Sequence, residues 1–188
     1  VNAPSGHAPL VVIVTGPPGA GKTVLGKRIA ASLGLPFISK DDIKEILFDV
    51  LGWKDRQWSM RLGHASVEIL FHVLERHLAA GRSVVVETAF VPQHDDARFL
   101  GLRDRYDLAP VQILCTADDQ VLYERFVQRI ESGERHPGHV DDLMSHDQFA
   151  ALLQERDYEA LRTGGPRLEV DTTDFDAVDT ETLTRTIQ

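Results

Sequence analysis

Short apolar runs alternate along the chain with longer stretches in which apolar residues recur every three or four positions. The runs at 10–15, 83–88 and 110–116 predict strands, because continuous apolar runs of this length are typical of strands buried on both faces. Shorter runs at 37–39 and 168–171 predict two more strands. Strands that alternate with helices in this way indicate an α/β fold whose parallel sheet is covered on both faces.

The stretches between the strands have helical periodicity. Helices are predicted at about 21–33, after Asp41–Asp42, at about 59–80, 92–106, 118–131 and 145–161, and at the carboxyl end. Asp41 or Asp42 is expected to cap the second helix, since a side-chain oxygen there can accept from the free backbone N–H groups of the first turn. The apolar face of that helix is predicted to contain Ile43, Ile46, Leu47 and Val50.

The chain has 188 residues, and we expect one domain at 10–188 after a flexible tail at 1–9. A polar segment rich in Gly, His and Pro, at about 132–145, is the expected lid. No apolar stretch approaches the roughly 20 residues that a membrane helix needs. The amino-terminal residues do not resemble a signal peptide, and the single cysteine, Cys115, allows no internal disulfide. These features predict a cytoplasmic protein that does not enter a membrane.

The most specific motif lies between the first predicted strand and the first helix, and it reads Gly16-Pro17-Pro18-Gly19-Ala20-Gly21-Lys22-Thr23. Its spacing, G-x-x-x-x-G-K-[ST], is that of a loop whose backbone N–H groups surround phosphate oxygens at a helix N-terminus. Lys22 is expected to reach the β- and γ-phosphates, and the Thr23 hydroxyl to bind Mg²⁺. The motif therefore predicts a site for ATP and Mg²⁺. Its glycine spacing differs from G-x-G-x-x-G, which excludes a dinucleotide-binding dehydrogenase.

Carboxylates follow two of the predicted strands, where open α/β sheets bind their ligands. Asp41 and Asp42 come after the second strand, and we expect Asp41 to accept the proton of an attacking hydroxyl while Asp42 caps the helix or contacts the substrate. Glu87 ends the third strand and is expected to contact Mg²⁺ through water. Thr88 is a further candidate for hydrogen bonding to the substrate.

Phosphoryl transfer also needs cations to neutralise charge in the transition state. Arg125 and Arg129 are spaced i, i+4 and lead toward the expected lid, which contains Arg135. We expect Arg125 or Arg129 to reach the phosphates and Arg135 to cover them; a solvated basic face is the alternative. His136 and His139 flank a Pro-Gly pair without a nearby cysteine, so contact with substrate or phosphate is favoured over a metal site.

The chain carries 20 Lys and Arg against 29 Asp and Glu, a formal net charge of −9. An acidic protein is a poor general binder of nucleic acid, because neutralisation of phosphates supplies most of that affinity. The charge therefore disfavours a long nucleic-acid track, although a local basic groove remains compatible with it.

With these residues in place, the chain resembles the P-loop kinases grouped with polynucleotide 5′-kinase, zeta-toxin-type kinases and chloramphenicol phosphotransferase. The resemblance covers nearly the whole chain and is carried by four segments: 16–23, 39–44, 84–88 and the helix of Arg125 and Arg129. It implies a P-loop NTPase fold with a parallel sheet of order 2-3-1-4-5 and a lid, and it supports Asp41 as the base. It also implies that Lys44 occupies the position of a basic residue that binds substrate phosphate in polynucleotide kinases. A lysine there lacks the bidentate fork of arginine.

The sequence therefore predicts an ATP- and Mg²⁺-dependent phosphotransferase acting on a hydroxyl of a small acceptor. A polynucleotide or nucleoside 5′-hydroxyl kinase is the first alternative. A nucleotide-binding regulatory ATPase is the second. A GTPase of the usual kind is excluded, because its N-K-x-D motif needs an asparagine and Asn2 is the only one in the chain. The identity of the acceptor is not written in these motifs.

Overall fold

The computed structural model describes residues 8–133, 135–141, 145–155, 158 and 160–187. Its strands are β1 Leu10–Thr15, β2 Phe37–Ser39, β3 Val84–Glu87, β4 Ala109–Thr116 and β5 Arg167–Asp171. Its helices are α1 Lys22–Leu33, α2 Lys40–Leu51, α3 Arg56–Ala79, α4 Pro92–Arg105, α5 Asp119–Glu131, α6 His146–Glu155 and α7 Thr180–Ile187. Two short 3₁₀ helices lie at Pro137–His139 and Phe175–Ala177.

The five strands form one parallel sheet of order β2-β3-β1-β4-β5, which confirms the predicted order. β1 and β3 are central and almost wholly buried, as their continuous apolar runs predict. Because all strands run the same way, their carboxyl ends share one edge of the sheet. The glycine loop, Asp41 and Glu87 follow β1, β2 and β3 and therefore lie at that edge.

Alternate residues of β1 pack into two separate apolar layers, one on each face of the sheet. Val12 and Val14 pack on one face with residues of α1, α5 and α6, among them Leu25 and Phe149. On the other face, Val11 and Ile13 pack with α3 and α4 through five larger side chains, Leu70, Phe71, Leu74, Phe99 and Leu102. The sheet is thus covered on both faces, as the alternation of strands and helices predicts.

The α2 helix differs from the prediction in two ways. It begins at Lys40 with Ser39 at the N-cap, so neither Asp41 nor Asp42 caps it; both lie in its first turn. Its buried residues are Lys44 and Phe48, whereas Ile46 and Val50 of the predicted apolar face are exposed. The reason is that α2 packs mainly on α3 and on residues 135–141 and contacts the sheet layer only near its start, through Ile43, so the buried face of the helix differs from the one that its apolar residues predict.

Three other boundaries also differ. The α3 helix begins earlier than expected, at Arg56, because the Asp55 carboxylate accepts a 2.8 Å hydrogen bond from the Trp58 backbone N–H. The α6 helix is described from His146 to Glu155; residues 158, 160 and 161 of the predicted helix are not helical, and 156, 157 and 159 lie outside the described residues. Of the expected tail, residues 1–7 lie outside the described residues, and the Pro9 carbonyl accepts a hydrogen bond from Ala109 N–H. In the part of the chain that the structure describes, no helix has the length and apolar character to cross a bilayer.

Candidate active site

The glycine loop between β1 and α1 is held against two other elements. A Cβ added to Gly16, whose φ is 140°, would stand 2.2 Å from the Cys115 carbonyl oxygen of β4. One added to Gly19 would stand 2.6 Å from the Leu122 carbonyl oxygen of α5. Only glycine fits these approaches, so they fix the path of the loop's backbone.

A cavity of about 300 Å³ opens beside this loop, lined by Gly19, Gly21, Lys22, Thr23, Val24, Arg125 and Arg129. Both predicted arginines of α5 therefore face the phosphate-binding loop. Burial lowers the pKa of Lys22, and its Nζ donates a 2.8 Å hydrogen bond to the Pro17 carbonyl. A larger cavity, of about 500 Å³, lies on α5 between Tyr123 and Ser132 and is lined by none of the loop residues, so its size does not make it the candidate site.

Arg125 joins the glycine loop to the segment after β5. Its guanidinium donates to the carbonyls of Thr172 at 2.9 Å, Thr173 at 3.2 Å and Gly19 at 3.4 Å. The Thr172 hydroxyl adds a 3.2 Å bond to the Ala20 carbonyl, and the Phe175 ring packs against Gly21. The sequence prediction missed this segment. Its place directly after the carboxyl end of a strand could have indicated that it lies at the site, because ligands bind at that edge of an open α/β sheet.

One oxygen of Glu87, at the end of β3, joins the end of β2 to the first turn of α1. Its Oε2 accepts hydrogen bonds from Ser39 Oγ at 2.9 Å and from Thr23 Oγ1 at 3.2 Å, and its side chain is buried. Burial raises the pKa of Glu87, although Lys22 and the two hydroxyls oppose this. A hydroxyl and a carboxylate side by side are the oxygen donors that Mg²⁺ prefers, so Thr23 and Glu87 fit the predicted metal contact. Ser39 was not predicted from the sequence.

Asp41 is the meeting point of three cationic side chains. Its carboxylate oxygens lie 2.9 Å from Lys40 Nζ, 3.7 Å from Arg135 Nη1 and 3.8 Å from Arg129 Nη2. Burial alone would raise the pKa of Asp41, but Lys40 and Arg135 outweigh it and hold that pKa far below its usual range. Asp41 is therefore ionised throughout the physiological range and serves as a hydrogen-bond acceptor.

The other predicted residues near Asp41 have different surroundings. Asp42 points away to Lys27 of α1, at 3.8 Å, and both side chains are half exposed. Lys44 is buried between α2 and α3, where Nζ donates a 2.9 Å hydrogen bond to Ser59 Oγ, and burial lowers its pKa to about 8. Thr88 follows β3, and its backbone N–H bonds to the Val14 carbonyl at 3.3 Å.

Residues 135–141 of the predicted lid lie directly on α2. Phe48 stacks with His136 at a centroid separation of 5.1 Å and meets the His139 ring edge-on at 5.3 Å. A Cβ on Gly138 would stand 2.6 Å from the Phe48 ring, so glycine permits this close approach. His136 Nε2 lies 3.3 Å from Asp49, and both ring nitrogens of His139 are bonded within the protein. Of the predicted lid, Glu134 and residues 142–144 lie outside the described residues.

Among the described residues, His136 and His139 are not part of a cluster that could hold a metal ion. Over the described ranges, no group of three or more His, Cys, Asp and Glu residues has the arrangement to hold a metal ion. Oxygen donors near the glycine loop, not these histidines, are therefore the candidate metal contacts.

The sheet order together with the glycine loop, Lys22 and Thr23 defines a P-loop NTPase. The family profile described as "AAA domain" (AAA_33) matches residues 11–157, and the chain belongs to this family. No curated protein is significantly similar to it in sequence.

Solved structures repeat the fold over nearly the whole chain. A protein from Chloroflexus aurantiacus j-10-fl, described as a "putative kinase", is 39% identical, with a TM-score of 0.90 and coverage of 96% of this chain and 97% of that chain. Kti12 from Chaetomium thermophilum, in complex with ADP-AlF3, is 16% identical, with a TM-score of 0.68 and coverage of 95% and 97%. Shikimate kinase from Acinetobacter baumannii is 18% identical, with a TM-score of 0.57 and coverage of 96% and 90%.

Proposed function

We propose that this protein is a Mg²⁺- and ATP-dependent phosphotransferase that moves the γ-phosphoryl group of ATP to a hydroxyl of a small acceptor. The observation that carries the proposal is the link between two centres. Arg129 lines the cavity of the phosphate loop and also lies 3.8 Å from Asp41, so one side chain spans the donor phosphates and the candidate base. An ionised carboxylate at this distance can accept the proton of an attacking hydroxyl.

On the phosphate side, the loop N–H groups and Lys22 bind the β- and γ-phosphates. Thr23 and Glu87 would hold Mg²⁺, which when bound neutralises charge on the phosphate oxygens. Arg125 keeps the loop and the segment after β5 in register through its three carbonyl contacts. Arg129 stabilises the charge on the transferring group, the role in which an arginine can contribute about 10³–10⁵ in rate.

On the acceptor side, Asp41 accepts a hydrogen bond from the acceptor hydroxyl and orients its oxygen toward the γ-phosphorus. The new bond forms between that oxygen and the γ-phosphorus while the bond to the β–γ bridging oxygen breaks, and the hydroxyl proton passes to Asp41. The products are ADP and the phosphorylated acceptor. Because the pKa of Asp41 is strongly lowered, the proton transfers late, after the hydroxyl has begun to lose its electron density.

The acceptor is expected to contact the charged groups around Asp41, with Arg135 and Lys44 as candidates and Thr88 at the end of β3 as a third. Asp42 is not retained among these contacts, since it pairs with Lys27 on α1. The 39% identical relative supports the kinase class by its description, whereas the shikimate kinase supports the fold alone. The net charge of −9 favours a small acceptor over a polynucleotide.

The proposal is tested by following transfer of labelled γ-phosphate from Mg-ATP to a panel of sugars, nucleosides, hydroxylated antibiotics and 5′-hydroxyl oligonucleotides at low salt. We expect phosphorylation of a small acceptor, lost in Lys22→Ala and kept in Lys27→Ala, which removes an exposed lysine of the same helix. Transfer to oligonucleotides alone would favour the polynucleotide kinase. Binding of Mg-ATP with no transfer to any acceptor would contradict the proposal and favour a regulatory ATPase.

A further inference from the structure

The His139 ring is fixed by hydrogen bonds on both nitrogens. Nε2 lies 2.9 Å from Glu45 Oε1, and Nδ1 lies 3.0 Å from Arg135 Nη2, while the side chain is almost fully buried. Glu45 lies on α2 and had no predicted role, and 94 residues separate it from His139 along the chain. The contact therefore exists only because residues 135–141 lie on α2.

The identity of these partners determines the protonation state of the ring. A guanidinium donates and never accepts, so Nδ1 must be the acceptor in its bond with Arg135. The ring then carries its proton on Nε2 and donates it to the Glu45 carboxylate. His139 is thus a neutral imidazole of defined tautomer, and burial and Arg135 lower its pKa to about 3.

His139 in turn restricts the guanidinium of Arg135. Nη2 of that group is held by the ring, Nε lies 2.5 Å from Asp141 Oδ2, and Nη1 faces Asp41 Oδ2 at 3.7 Å. One nitrogen is thus hydrogen-bonded to the ring, a second forms an ion pair with Asp141, and the third is directed at the candidate base. The hydrogen bond to the ring therefore restricts rotation of the planar guanidinium.

The ring itself has little freedom to move. Its edge meets Phe48, and the backbone carbonyl of His139 accepts a 3.0 Å hydrogen bond from the buried Ser59 hydroxyl of α3. The position and orientation of the ring are thus set by α2 and α3, and its tautomer is set by Arg135. A residue so enclosed has no ring nitrogen left for a ligand in this arrangement.

We propose that Glu45 and His139 form a positioning relay, in which Glu45 fixes the His139 ring and the ring holds Arg135 against Asp41. This inference rests on the proposed function, in which Asp41 receives the acceptor hydroxyl. It gives His139 a role different from the substrate contact predicted from the sequence, and it adds Glu45, which the sequence did not single out. Misplacement of a positioned group by about 1 Å can cost on the order of 10²-fold in rate.

The kinetic test compares two substitutions of the same histidine. In His139→Gln, the amide oxygen can accept from Arg135 while the amide nitrogen donates to Glu45, at a spacing close to that of the two ring nitrogens. In His139→Ala, both bonds are lost. We expect His139→Ala to lower kcat by roughly 10–100-fold, as for other residues that orient a reacting group, with little change in the KM for ATP. His139→Gln should recover most of that rate, and Glu45→Ala should lower it in the same direction.

His72→Ala, which removes an exposed histidine of α3, is the matched control and should behave as the wild type. Equal losses in His139→Gln and His139→Ala would overturn the relay, since a direct ligand contact or the ring volume alone would then matter. A rise in the acceptor KM that is as large in His139→Gln as in His139→Ala would overturn it too, because the ring itself, and not its hold on Arg135, would then bind the acceptor.

A second measurement does not depend on activity. The charged groups that interact with Asp41 are Lys40, Arg129, Arg135 and, when protonated, the His139 ring itself, with Lys22, Lys44 and the anionic Glu87 farther away. If the relay holds Arg135 in place, ¹³C NMR of the Asp41 carboxyl should show its titration moving upward by roughly one pH unit more in His139→Ala than in His139→Gln, because both variants lose the charge of the ring but only the alanine releases Arg135. ¹⁵N shifts of His139 should report the neutral ring protonated at Nε2.

Failure of the proposed function and failure of the relay would give different results. A wild-type protein that transfers no phosphate, yet shows the Nε2 tautomer and the Asp41 shift, would contradict the proposed function and leave the relay intact as a property of the fold. A protonated His139 near neutral pH, or an Asp41 titration unchanged in His139→Ala, would overturn the relay even in an active kinase.

Discussion

The two sides of the candidate site are built in different ways. The proposed phosphate side is one continuous segment, residues 16–23, which combines a constrained backbone with the side chains of Lys22 and Thr23. The acceptor side is a set of side chains from α2, α3, α5 and residues 135–141, joined by ion pairs around Asp41. A short motif can encode the first, whereas the second exists only after the chain has folded.

The phosphate side and the acceptor side are also stabilised by different interactions. The glycine loop depends on tight backbone approaches that no other residue tolerates, so its tolerance of substitution is low. The acceptor side depends on charge balance, since three cations around Asp41 must be offset by it and by Asp141. We therefore expect changes on the phosphate side to affect fold and ATP binding together, and changes on the acceptor side to separate turnover from ATP binding.

The largest separation is expected from Asp41→Asn. The amide keeps the size of the side chain but cannot take the acceptor proton, so kcat should fall by roughly 10²–10⁴-fold. ATP affinity, measured by calorimetry with Mg²⁺, should change little, because the carboxylate is not among the residues that line the phosphate cavity.

Asp104→Asn, an exposed carboxylate of α4, is the control for Asp41→Asn and should leave both quantities unchanged. Full transfer activity in Asp41→Asn would contradict the assignment of the base. A parallel loss of ATP affinity would contradict the separation of the two sides.

Gly16→Ala, in contrast, should lower stability and ATP affinity together. The new methyl would stand 2.2 Å from the Cys115 carbonyl, and the backbone must shift because neither partner is a flexible side chain. We expect a loss of about 3 kcal/mol in the free energy of unfolding together with weakened binding of ATP. Chemical denaturation and calorimetry measure the two, and a stable variant with normal ATP affinity would refute this account of the loop.

These contrasts parallel what could be predicted from the sequence. The strand order followed from a family resemblance, and most strands and helices followed from periodicity, because a parallel sheet imposes strong apolar runs on β1, β3 and β4. The glycine loop was evident because its chemistry requires fixed residue types at fixed spacing. Asp41 could be singled out from the sequence for a related reason, because it follows the carboxyl end of β2.

Other features of the site could not be predicted from the sequence, for physical reasons. Lys44 is buried and Ile46 exposed because α2 packs on α3 and residues 135–141, and no local pattern records that docking. Glu45 pairs with a residue far along the chain, and its role depends on a tautomer that no motif encodes. Ser39 and Thr172 act through single hydroxyls, which are too common in sequences to be singled out.

Gly138→Ala probes the acceptor side by sterics. Its methyl would stand 2.6 Å from the Phe48 ring, which is fully buried and cannot turn aside. Overpacking of this kind should lower the free energy of unfolding by roughly 1–3 kcal/mol. Unlike Gly16→Ala, it should leave ATP affinity near the wild-type value, since Gly138 is absent from the phosphate cavity.

The control for Gly138→Ala is Gly101→Ala in α4, where no heavy atom lies within 4 Å of the new Cβ. Helix propensity alone predicts that this change stabilises the protein by up to about 1 kcal/mol. Thermal melts of the two variants measure the difference directly. Destabilisation of similar size in both would show that contact with Phe48 is not the cause.

The smallest predicted effect concerns pH and the His139 relay. The pKa of His139 is about 3 in the folded protein and near 6.5 when the chain is unfolded, because burial and Arg135 disfavour the charged ring. Below pH 6.5 the unfolded chain therefore takes up a proton that the folded protein does not, and stability falls as pH decreases toward 3. Between pH 6.5 and 5.5 this one group should lower the free energy of unfolding by at most about 1.4 kcal/mol.

Since glutamine does not titrate, the free energy of unfolding of His139→Gln should fall less over the same interval, as measured by urea denaturation. Parallel pH curves for the two proteins would mean that His139 takes up its proton in the folded protein as readily as in the unfolded chain, and a protonated Nδ1 could not accept the hydrogen bond that holds Arg135 against Asp41.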